Sequence, residues 1–94
     1  MNVLAVLVEF LGTFIFLSVI VATGNPWAIG ATLAVLAFLA SNISGGHFNP
    51  AVTLMMLYNR GIAADSASAY VVAQVAAGLL AVTAFNMLKK RGVL

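Results

Sequence analysis

The chain has 94 residues, of which 64% are hydrophobic and 6% charged, with no cysteine and a mean hydropathy of +1.15. A soluble domain carries roughly a quarter charged residues, and so small a body has too little interior to hide this apolar excess, so most of its surface must face lipid. The net charge of +2 comes from Arg60, Lys89, Lys90 and Arg91 against Glu9 and Asp65, too few and too scattered for nucleic acid, and one histidine with two acids cannot build a usual zinc or two-carboxylate catalytic set, so neither an enzyme nor a cofactor is expected.

Val3 to Thr23 is an apolar run of 21 residues broken only by Glu9, and at about 1.5 Å per residue it matches a bilayer core of roughly 30 Å. A cleaved signal peptide is the competing reading, but the stretch is too long and no lysine or arginine precedes it. Gly24-Asn25-Pro26 is turn chemistry, and Trp27 suits a headgroup anchor. A second crossing is expected from Trp27 to Ser41. Asn42 to Phe48, containing Ser44, Gly45, Gly46 and His47, is polar and helix-breaking. Asn49 as N-cap, Pro50 at the first helical position and Gly61 beyond the end then predict a helix over Pro50 to Asn59. At about 15 Å it spans only half a bilayer. Asp65, Ser66 and Ser68 cap a last helix, Ser66 to Leu88, closed by Lys89-Lys90-Arg91. The expected fold is a single all-α membrane domain over residues 1–94, with three transmembrane helices, a re-entrant loop and a half-helix.

Irregular backbone at membrane depth leaves amides and carbonyls unpaired unless protein buries them or they line a wet cavity. The loop and half-helix therefore fit a permeation path. A surface loop followed by a weakly amphipathic helix fits the spacing equally well. Glu9 is the costliest residue inside hydrocarbon, and intramembrane acids usually serve function.

The run Ser44-Gly45-Gly46-His47-Phe48-Asn49-Pro50-Ala51-Val52-Thr53 closely resembles the first Asn-Pro-Ala loop of the aquaporin and glycerol-facilitator family. Glu9-Phe10-Leu11-Gly12-Thr13-Phe14 resembles that family's first helix, and Tyr70 to Gly78, with Gln74 between, its third. The resemblance covers nearly the whole chain but only the first half of the family's double-length polypeptide.

It implies a channel for water and small neutral solutes such as glycerol or ammonia, in which two half-helices enter from opposite faces and meet at the midplane. Asn49 Oδ1 would cap its own helix and aim the amide nitrogen into the lumen, and the paired helix N-termini would disfavour protons and cations. Gly45 and Gly46 permit an extended backbone, so carbonyls from Ser44 to His47 are expected to form a ladder of acceptors. A lone histidine beside glycines most often packs through hydrogen bonds, whereas the resemblance places His47 at a vestibule. The matching glutamate braces loop amides from behind the pore, so Glu9 is expected as a brace with Thr13 beside it and Gln74 crosslinking helices or loop. Gly12, Gly30 and Gly78 are expected to allow close helix approach.

The pattern also departs from the family. Family channels carry an arginine just after the second Asn-Pro-Ala, where Val52 stands here, and an aromatic filter residue near the position of Ile29. Apolar constrictions at Ile29 and Val52 follow. A second half-helix has to come from another chain, and the expected partner is a second copy inserted upside down, an antiparallel homodimer in the lipid bilayer that can group into a higher oligomer of pores. The N-terminus and Arg60 lie on one face and Lys89, Lys90 and Arg91 on the other, a modest basic bias. Pairing with a different half-protein is the alternative. Two rival functions are a small dual-topology proton-coupled exporter using Glu9 and a non-conducting membrane organiser.

Overall fold

Four helices and no strand make up the computed structural model, which describes residues 1–94. Three of the helices open on asparagine caps. Asn2 Oδ1 accepts the Ala5 N–H at 3.2 Å to start α1 (Val3–Thr23), and Gly24, left-handed at φ 58°, closes it. Asn25 Oδ1 accepts from Trp27 and Ala28 at 2.9 and 3.1 Å to start α2 (Pro26–Ala40). Asn49 Oδ1 accepts the Ala51 N–H at 2.8 Å to start α3 (Pro50–Tyr58). Both Pro26 and Pro50 occupy a first helical position, where no N–H is required.

The last helix, α4 (Ala64–Lys90), begins two residues ahead of the expected Ser66 and lacks a side-chain cap. Asp65 in its first turn and Lys89 and Lys90 in its last complement the helix dipole instead. α3 ends one residue short of the expected Asn59. The Arg60 N–H donates to Leu57 O at 3.1 Å and the Gly61 N–H to Met56 O at 2.7 Å, a closure whose left-handed residue is Arg60, at φ 62°, rather than Gly61.

α1 and α4 run in the same direction, side by side. The Met1 amine lies 3.6 Å from Asp65 Oδ2, Glu9 meets Gln74 at 3.0 Å further along, and Leu17 packs at Gly78 beyond that. A stripe of small residues on α4, Ala67, Ala73, Ala77 and Ala81, is buried and lets the helices approach closely. α2 packs on α1, and α3 rests on α4. Gly78 serves close approach as expected, since a side chain there would press on Leu17 Cδ1. Gly30 does not: a Cβ at that position would meet open space, because α2 turns this face away from its neighbours.

The interior mixes small apolar residues with a large polar share, and much of the large apolar surface faces outward. Five of its 14 buried residues are polar, namely Glu9, Thr13, Ser44, Thr53 and Gln74, while Leu7, Leu11, Phe38 and Leu79 are exposed. Lipid satisfies such apolar surface, and it leaves polar groups no option but to find each other inside the bundle. α1 and α4, with 21 and 27 residues, are long and apolar enough to cross a membrane, and α2 is apolar but has 15 residues.

Candidate functional site

The buried polar residues converge on the loop between α2 and α3. As α2 ends, Ala40 O accepts three N–H groups, from Ile43 at 2.9 Å, Ser44 at 3.0 Å and Gly45 at 3.2 Å, and turns the chain out of its helix. Gly45 and Gly46 follow with φ of 91° and 63°. A Cβ at Gly46 would sit 3.0 Å from Ala37 Cα and 3.1 Å from Ala37 O, so only glycine lets the loop lie this close to α2.

Glu9, fully buried on α1, holds this loop from behind. Its Oε2 accepts the Ser44 hydroxyl at 2.7 Å and the His47 N–H at 2.9 Å, and its Oε1 accepts the Phe48 N–H at 2.8 Å and a Gln74 Nε2 hydrogen at 3.0 Å. Backbone amides can only donate, so one carboxylate satisfies two loop N–H groups that burial would otherwise leave unpaired. Glu9 thus ties α1 to the loop and, through Gln74, to α4.

The brace also holds a strained residue. Phe48 sits at φ 53°, a region that a bulky side chain rarely occupies; such a conformation costs roughly 1–2 kcal/mol. Its N–H is bonded to Glu9, and its ring is buried against Gly12, where any Cβ would overlap the ring. Gly12 thus makes room for the loop rather than for a helix.

Gln74 Nε2 donates a second hydrogen to Thr53 Oγ1 at 2.9 Å, and Thr53 Oγ1 lies 2.9 Å from His47 Nδ1. The His47 ring meets Tyr70 edge-on, with centroids 5.2 Å apart, and the Tyr70 hydroxyl donates to Ser44 O at 2.7 Å. Ser44 O accepts the Tyr70 hydroxyl, so one of its two lone pairs is used inside the bundle, whereas the Gly45, Gly46 and His47 carbonyls accept nothing within the chain. Thr13 is buried beside the brace but does not join it, since its hydroxyl has no hydrogen-bond partner, and Gln74 Oε1 is likewise unpaired.

Asn49 stands exposed at the start of α3 with Pro50 half-buried, Ala51 exposed and Val52 half-buried. Ile29 lies in the opening turn of α2, at the far end of that helix from the loop. Sequence reasoning left Thr53, Phe48 and Tyr70 without individual roles. The detectable signal was spacing: Tyr70 and Gln74 are one turn apart on α4, as Glu9 and Thr13 are on α1, which puts polar groups on facing stripes.

A family model described as Major intrinsic protein matches residues 22–93. The chain belongs to the major intrinsic protein family. Glycerol uptake facilitator protein-like 6 of Lactiplantibacillus plantarum is 46% identical over 84 residues, covering 80% of this chain and 39% of the relative. Probable aquaporin PIP2-7 of Oryza sativa subsp. japonica is 37% identical over 90 residues, covering 74% and 31%, and probable aquaporin PIP2-8 of Arabidopsis thaliana is 38% identical over 87 residues, with the same coverage. The chain thus spans between about a third and two fifths of the length of these relatives. No solved structure matches it. As a major intrinsic protein it is an integral, multi-pass membrane protein, in keeping with its lipid-suited exterior.

Proposed function

We propose that the chain forms half of a passive channel for water and small neutral solutes, with Asn49 at the tip of a re-entrant half-helix in mid-membrane. The observation that carries this reading is the Asn49 amide. Its oxygen is committed to the Ala51 N–H at 2.8 Å, while its nitrogen has no partner in the chain and the side chain is exposed. A donor fixed in direction and left open is what a passing water oxygen requires. The unbonded Gly45, Gly46 and His47 carbonyls supply acceptors for the water hydrogens.

In this layout α1, α2 and α4 cross the bilayer, with the shorter α2 extended by the turn at residues 41–44. α3, nine residues or about 14 Å long, returns from the midplane to the face holding Met1 and Asp65. A second half-helix has to come from outside these 94 residues, and we assign it to an inverted second copy. The apolar groove between α1 and α2, lined by Val8, Leu11, Ile15, Leu36, Leu39 and Phe48, is open to receive it. Two opposed helix N-termini then raise the positive potential at the tips and repel protons and cations. With Val52 and Ile29 in place of charged or aromatic filter groups, the constrictions are apolar, which admits glycerol and ammonia beside water. The relatives' names, glycerol uptake facilitator and aquaporin, bring both solute classes into range.

A proton-coupled exporter is disfavoured by the same geometry, because Glu9 is sealed from any path and both its oxygens are occupied. Liposomes containing only this chain are expected to shrink several-fold faster than empty ones under osmotic shock, with a lower activation energy. Equal rates would support the non-conducting organiser, and flux restored only by adding another half-channel would replace the second copy with that partner.

A further inference from the structure

We propose that Thr53 is a positioning residue that fixes the tautomer of His47, holding the ring proton on Nε2 and presenting that N–H as a donor beside Gly45. The hydrogens are fixed in turn outward from Glu9. The His47 and Phe48 amides can only donate, and they occupy one Glu9 oxygen each, so the carboxylate acts as an acceptor on both sides. Gln74 must therefore turn its amide nitrogen toward Glu9, since the flipped amide would set a carbonyl oxygen 3.0 Å from Glu9 Oε1. With that orientation settled, the second Nε2 hydrogen points at Thr53 Oγ1, 2.9 Å away.

Thr53 is fully buried, and its hydroxyl has two polar partners, Gln74 Nε2 and His47 Nδ1. Gln74 delivers a hydrogen to it, so the hydroxyl's own hydrogen can go only to His47 Nδ1. Nδ1 is then the bare nitrogen and the ring proton resides on Nε2. The opposite tautomer would direct two hydrogens at the Thr53 oxygen and leave its hydroxyl hydrogen buried with no acceptor.

The other end of the ring is kept open. A Cβ at Gly45 would lie 3.3 Å from His47 Nε2, so the missing side chain leaves this nitrogen uncovered, and it has no hydrogen-bond partner in the chain. A donor at His47 Nε2 stands two residues before the free donor of Asn49. For solute passage this consequence rests on the channel reading, but the tautomer itself does not.

His47 is the chain's single histidine, so histidine labelled with nitrogen-15 reports on it alone. Magnetic-resonance spectra of the full chain in lipid bilayers are expected to show one neutral tautomer, with the N–H coupling on Nε2 and none on Nδ1. Thr53→Val keeps the shape and removes the hydroxyl, and it is expected to move the Nδ1 resonance downfield as the bare nitrogen loses the hydrogen bond it accepts; Thr53→Ser is expected to restore the wild-type shift. A wild-type proton on Nδ1, a mixture of tautomers in the wild type, or a Thr53→Val spectrum identical to wild type would each overturn the proposal. Should Thr53→Val fail to fold, a wild-type Nδ1 shift typical of a bare nitrogen that accepts no hydrogen bond would overturn the proposal. The spectrum does not depend on flux, so a tautomer found on Nε2 in a chain whose liposomes shrink no faster than empty ones would refute the channel and leave the Thr53–His47 assignment standing.

Discussion

Replacing Glu9 with leucine is expected to release the loop while leaving the membrane-spanning helices inserted. The substitution leaves the Ser44 hydroxyl, the His47 and Phe48 amides and one Gln74 hydrogen without acceptors. Each buried donor left unpaired costs about 1–3 kcal/mol. Relaxation recovers part of the sum over these donors, so a loss of roughly 3–5 kcal/mol is expected. Phe48 also loses the bond that offsets its left-handed backbone, and its ring is then free to leave Gly12. Detergent-induced unfolding in lipid bicelles, followed by the circular dichroism of the helices and by protease access to residues 44–48, reads both effects. Glu9→Gln is expected to fall between wild type and Glu9→Leu, because one of its two terminal atoms remains an acceptor and the other becomes a donor facing donors. Unchanged protease resistance in Glu9→Leu would mean that the loop stands without its brace.

Asn49→Leu is expected to act on conduction more than on stability. It removes the cap of α3 at a cost of about 1 kcal/mol, and Pro50 still preorganises the first turn. The larger effect falls on a water at the tip, which loses its donor and meets a branched apolar side chain. Losing one such bond in a dry constriction is worth about 1–3 kcal/mol, a slowing of roughly 5- to 150-fold. In an inverted pair both tips carry the substitution, which pushes the effect toward the upper end. Stopped-flow light scattering on liposomes measures it directly. Asn49→Asp is the useful companion: it keeps the capping oxygen but loses the donor, so it should preserve α3 and still slow water. A surface helix with no role in conduction would leave flux unchanged in both variants.

Much of the element layout was legible because the signals were local. Asn49 with Pro50 reads as a helix start from residue type alone, and Gly24-Asn25-Pro26 marks the turn before α2, whereas the caps at Asn2 and Asn25 came only with the structure. The start of α4 was harder, because Ala63 opens it without a side-chain bond, and no residue type marks such a start. The Schellman closure at Arg60 was likewise hidden, since a positive φ at arginine follows from the chain's path and not from its side chain.

In the candidate site, the placement of Glu9 behind the loop followed from a resemblance and from the cost of burying an acid. The partners of each oxygen did not, because they depend on how α1 and α4 align, which brings Glu9 to Gln74 across 65 positions of sequence. The bond from Tyr70 to the Ser44 carbonyl was hidden for the same reason: it crosses 26 positions and leaves no trace in the loop's own residues. Thr13 shows the converse. Its position one turn from Glu9 is right for sharing the brace, yet its hydroxyl finds no partner.

The depth of the α3 tip is the quantity on which the half-channel stands or falls. Ala51 is exposed beside Asn49, and the chain has no cysteine, so Ala51→Cys carries a single spin label to that tip. Paramagnetic relaxation by oxygen and by a water-soluble nickel complex, compared with labels at Trp27 and Arg60, gives its depth and wetness in bilayers. A label at the bilayer centre that nickel nonetheless reaches, with a short dipolar distance to the label of an inverted copy, is the expected result. A label at headgroup depth, or one buried at the centre but dry and unpaired, would contradict it.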